Sequence, residues 1–168
     1  MGIVGRIGGV IGGRDIRCQW QGNNLLGRIG GGVFGWDITL RCQGNHIEGR
    51  MGGVLDGRDI VGSWTDASVS VRIGGVVAGN EVELTMMGST ITGRGGGDIF
   101  GFDCRLQYRQ AQRELSGRLG GDVLGKSVYL QLHSHTPPLI AALVACAAYY
   151  YMEITNRSHS ANSRGGGS

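Results

Sequence analysis

The residues of this chain with types suited to chemistry are its four histidines, its four cysteines and a row of acids. His133 and His135 stand two apart, and on a strand that spacing puts both imidazoles on one face, where they could chelate a metal. A site needs further ligands, but His46 and His159 are remote in sequence and there is neither a Cys-x-x-Cys pair nor a zinc-helix motif. Asp15, Asp37, Asp59 and Asp103, with Glu81 at the same phase, resemble a carboxylate row. Calcium-binding β-rolls need a nine-residue Gly-Gly-x-Gly-x-Asp phase, which this row does not follow. No nucleophile elbow or phosphate loop occurs. Cys18, Cys42, Cys104 and Cys146 fall on apolar phases and read as buried small hydrophobes in a reducing compartment. The expectation is a protein that is not an enzyme and carries no cofactor or metal.

The acids belong to a repeat. An arginine returns at Arg6, Arg28, Arg50, Arg72, Arg94 and Arg118, the first five 22 residues apart and the sixth 24 on. Five of the six are followed by an apolar residue and a Gly-Gly pair. Counting from each arginine, the residue seven on is always glycine, nine on is acidic except at Ser127, and five, ten, twelve and fourteen on are mostly apolar or bulky. A fixed period of this length marks a stacked-repeat architecture, in which neighbouring copies bury what one copy cannot.

Apolar residues recur every second position up to about residue 135, so each segment reads as a strand with one apolar face. Two architectures fit. In a Gly-rich parallel β-solenoid, six coils stack at about 4.8 Å and the arginines form a ladder. In an antiparallel meander, the glycine seven on opens a two-residue hairpin that pairs the residue five on with the one ten on. Both place the five-on residues inside. The identical phase of every copy favours the solenoid, an all-β domain over 1–135.

The run Ile47-x-Gly49-x-Met51-x-Gly53-x-Leu55-x-Gly57-x-x-Ile60, echoed from Ile3 to Ile11, resembles the coil pattern of bactofilins, the bacterial polymer-forming cytoskeletal proteins. The resemblance covers about residues 3–132. It implies a right-handed β-helix that assembles end to end into nucleotide-independent filaments and associates with membrane. The 22-residue coil and the Arg-x-Gly-Gly phrase depart from that pattern.

Ile3 and Arg6 are already in register with later copies, so the first coil reads as open, with no signal peptide before it. An uncapped edge templates pairing with another chain, which makes Ile3, Ile7 and Ile11 the candidate assembly edge and a homo-oligomer or filament the expected state.

After Thr136-Pro137-Pro138 a helix is expected over 136–154, apolar all round from Leu139 through Leu143 to Tyr149, Tyr150 and Tyr151, with a flexible polar tail over 155–168. A helix of that character belongs in lipid or in protein. The tyrosines suit an interfacial belt, so it reads as a tail anchor holding the domain at the cytoplasmic face of a membrane, or alternatively as a cap on a soluble cytoplasmic solenoid. A net charge of +3 without a like-charge block gives no expectation of nucleic acid. The expected function is a structural, self-assembling scaffold tethered to a membrane. The alternative is a binding module whose arginine ladder takes an anionic polymer or lipid headgroups.

Overall fold

The computed structural model describes residues 2–53, 55–75, 79–97, 101–121, 125–133 and 135–164. Each repeat is a hairpin: β1 (Ile3–Ile7) with β2 (Arg14–Gln21), β3 (Asn24–Gly30) with β4 (Gly35–Gln43), β5 (His46–Met51) with β6 (Arg58–Trp64), β7 (Ser68–Gly74) with β8 (Gly79–Met87), β9 (Thr90–Gly96) with β10 (Gly101–Arg109), and β11 (Glu114–Leu119) with β12 (Lys126–Leu132). Every strand is antiparallel to its neighbours, and β12 closes on β1 from Ile3↔Leu132 to Ile7↔Val128. The result is a closed twelve-strand up-and-down barrel, not a solenoid.

Period-two alternation is common to both folds; what separates them is where the chain reverses. The glycine two after each arginine takes a left-handed conformation, with φ of 93° at Gly30, and turns the chain out of its strand. The antiparallel meander is therefore the nearer expectation, though its register differs. Arg6 lies opposite Asp15, and a loop from Gly8 to Gly13 replaces the expected two-residue turn. Tight turns such as Gly22-Asn23 and Gly44-Asn45 are at the other end of the barrel. The open edge disappears with the solenoid: β1 is hydrogen-bonded on both sides and Ile3 and Ile7 are fully buried.

About eight strands make a lumen that side chains can fill, and twelve leave one that they cannot. A helix about 10 Å across fits such a space. Helix α1 (Pro138–Arg164) enters at the tight-turn end and runs up the axis. Leu139 to Met152 are all at most 5% exposed, and the alanines among them let the wall come close on every side. The helix continues to Arg164 rather than ending at 154, so residues 155–164 are helical. By length and composition it could cross a membrane, but here its apolar part is the barrel's core.

Six seams join each even strand to the odd strand that follows it, and in each a glycine near mid-strand stands opposite a larger residue. The pairs are Cys18↔Gly27, Leu40↔Gly49, Leu84↔Gly93, Leu106↔Gly117 and Leu130↔Gly5. In the remaining seam the order is reversed, with Gly62 opposite Val71. A Cβ on Gly93 would lie 1.9 Å from the Glu83 carbonyl oxygen, so the wall crosses closely there and admits only one side chain per pair.

Candidate functional site: the two ends of a filled barrel

The arginine ladder lies on the outer face near the long-loop end. Its members sit on every second strand, about 10 Å apart by strand spacing rather than 4.8 Å. Arg6, Arg28, Arg50, Arg72 and Arg94 bond Asp15, Asp37, Asp59, Glu81 and Asp103 across their hairpins at 2.5 to 2.8 Å. The same guanidinium groups hold the loops: Arg28 donates from Nε to Gly31 O at 3.2 Å and from Nη2 to Gly32 O at 2.8 Å. Arg6, Arg50 and Arg72 repeat this on Gly9, Gly53 and Gly75. The invariant glycine seven on is part of the device, since a Cβ on Gly35 would sit 2.3 Å from Gly31 O and 3.0 Å from Arg28 Nε. Arginine, acid and glycine thus recur together because they build one loop clasp. Arg118 differs: register places it opposite Arg105 and Ser127, and its Nη2 donates to Gly125 O.

The five-on residues, expected inside, are outside. Val10, Ile11, Val33, Phe34 and Leu55 are 82 to 100% exposed at the tips of three loops on one end of the barrel. At equivalent places the other three repeats carry Val76-Val77, Ile99-Phe100 and Val123-Leu124, which lie outside the described residues. Two adjacent apolar residues break the strand alternation, and that break between glycines was the legible sign of a tip.

Between these loops the mouth is packed around α1. Trp36 meets Tyr151 and Phe102 meets Tyr149 with ring centroids 4.6 Å apart, Tyr151 donates to Asp56 O at 3.0 Å, and Lys126 approaches Glu153 at 3.7 Å. The expected membrane residues Leu139, Leu143 and Tyr149–Tyr151 therefore contact protein.

At the tight-turn end the fourteen-on residues Trp20, Cys42, Trp64, Met86 and Tyr108 are half-buried against the core. The Thr136 hydroxyl accepts from Trp20 Nε1 at 3.0 Å and lies 2.7 Å from His133 O, which ties the helix entrance to the wall. Beside it a cleft of about 350 Å³ is lined by Trp20, Gly22, Asn23, Cys42, Trp64, His135 and Pro137. Trp64 Nε1 is buried with no hydrogen-bond partner. Sequence reading assigned the bulk of this ring correctly but not the cleft. Among the described residues no group of three or more His, Cys, Asp or Glu side chains could hold a metal.

The four cysteines are free. Burial pushes the thiol of Cys18 up to about 12 and that of Cys42 up to about 11 from 9.0, and Cys146, hydrogen-bonded with Cys104 in the core, is raised as well. Burial also raises Tyr149 and Tyr151 from 10.0. Each group binds its proton more tightly when folded. Their contribution to stability is whole below pH 9 and is lost as pH rises from about 9 towards 12. Chemical denaturation at pH 8 and pH 10.5 should show the fall, and the folded protein should resist thiol alkylation at pH 8 until unfolded.

Comparison with protein-family models, curated proteins and solved structures finds no match.

Proposed function

We propose that this chain is a peripheral docking module, not an enzyme, whose long-loop end enters the headgroup layer of a membrane. The observation that carries the reading is the set of five apolar tip residues, 82 to 100% exposed on one end of the barrel. Monomeric surfaces seldom expose apolar groups together without a partner, and full burial of such a side chain is worth about 1.5–3 kcal/mol. Partial burial of several tips can offset the several kcal/mol that association costs. Membrane contact, expected of the helix, passes in this reading to the loops. Beyond Met152 the helix turns polar and carries Arg157 with no acid after Glu153, which suits anionic headgroups and keeps insertion shallow. Four free thiols support the cytoplasmic face. The filament reading loses its mechanism, since each strand already has two neighbours.

The test is flotation with phosphatidylcholine vesicles, with and without anionic lipid. Replacing Ile11, Phe34 and Leu55 together by Ser should reduce the bound fraction about tenfold or more while leaving the far-ultraviolet spectrum unchanged. Absence of binding by the unaltered chain contradicts the reading. Retention by the triple variant on anionic vesicles alone would move the site to the groove where Arg105 faces Arg118, which Asp103 and Gly120 also line.

A further inference from the structure

We infer that the cleft at the tight-turn end is a binding site for a proline-rich peptide segment. It is independent of the membrane reading and lies at the opposite end of the barrel. Two indoles, Trp20 and Trp64, and the ring of Pro137 give it flat apolar walls, while Asn23 and His135 stand exposed at its rim.

The polar requirement of the cleft is one-sided. Trp20 Nε1 is satisfied by the Thr136 hydroxyl, whereas Trp64 Nε1 is shielded from water and donates to nothing. Indole nitrogen is a donor only, so its partner must be an acceptor. An unmade hydrogen bond at a buried donor is costly, so an acceptor that reaches Trp64 Nε1 removes that cost.

The ligand that fits is rich in acceptors, poor in donors and flat-sided. Proline supplies a carbonyl with no N–H and a ring that packs on indole, and proline-rich chains are already extended, so little conformational entropy is lost on binding. A sugar would bring several hydroxyl donors, for which the lining offers few acceptors. The cleft's 350 Å³ suits two or three residues of such a chain.

The three tryptophans make the test direct, because Trp36 is at the far end of the barrel and Trp20 already has its acceptor. A ten-residue polyproline peptide is titrated into the ¹⁵N-labelled full chain, with a Gly-Ser peptide of equal length as control. The expected result is a saturable downfield shift of the Trp64 indole proton, with Trp36 unmoved and the control silent. Trp64→Phe keeps the wall and removes the donor, and should weaken binding about tenfold without changing the melting temperature by more than a few degrees. No shift at Trp64, or equal shifts with both peptides, overturns the proposal. So does a small aromatic acid such as benzoate saturating the cleft while polyproline does not.

Discussion

Leu143→Asp should leave the chain without a folded barrel. Leu143 is fully buried midway along the axial helix, where no water or cation can reach a new carboxylate. An unpaired charge at such a place costs several kcal/mol even when the group stays protonated, and the lost leucine adds about 2–5 kcal/mol. Domain stabilities are about 5–15 kcal/mol in total, so most of the margin goes. The expected observations are loss of near-ultraviolet dichroism and recovery of the protein only from the insoluble fraction. The result also separates the two fates considered for this helix. If Leu139–Met152 served as a membrane tail anchor, the same substitution would spare the β-domain in detergent-free buffer and weaken membrane insertion only.

The second large effect is a coupling. Gly62→Leu should destabilise by about 3 kcal/mol or more, because a Cβ there would lie 2.2 Å from Ser70 O and 2.5 Å from Val71 Cα, both backbone atoms. Val71→Gly should cost about 2 kcal/mol through the space it leaves and the freedom it gives the strand. The double variant recreates the arrangement of the other five seams, with the large residue on the even strand and glycine opposite. It should recover most of the loss, with an interaction energy of about 2–3 kcal/mol in a double-mutant cycle. Additive losses would mean that the pairing of glycine with bulk is not what sets the wall spacing. Phe102 opposite Gly95 is a similar exchange, the ring filling the space that Ile, Met or Leu occupies after the other arginines.

Much of this architecture was legible, and several inferences misled. Alternation located the strands, the phase of the copies identified the repeat, and the apolar character of Leu139–Met152 required burial in lipid or in protein without deciding between them. The chain's reversal within each repeat was hidden because odd strands resemble odd strands and even resemble even, which mimics like stacking on like. The apolar tips Ile11, Val33 and Leu55 fit the alternation by parity and were therefore counted inward, although the second apolar residue beside each one breaks the pattern. The arginines presented a different difficulty. Their ion pairs span nine residues, which is invisible until the hairpin register sets Arg28 beside Asp37, and their bonds to loop carbonyls leave no trace in side-chain patterns. The Trp64 cleft depends on the ends of β2, β4 and β6, the Gly22-Asn23 turn and the helix entrance meeting at one end, a closure that no local pattern encodes.

Amide hydrogen exchange followed by mass spectrometry tests the central claim, that the C-terminal helix is the core around which twelve strands close. The account predicts that peptides from 139–152 exchange as slowly as the β-strands, at the rate of global unfolding, while 156–164 exchange within seconds. Rapid exchange across 139–152 in a protein whose strands remain protected would place the helix outside the barrel and contradict it.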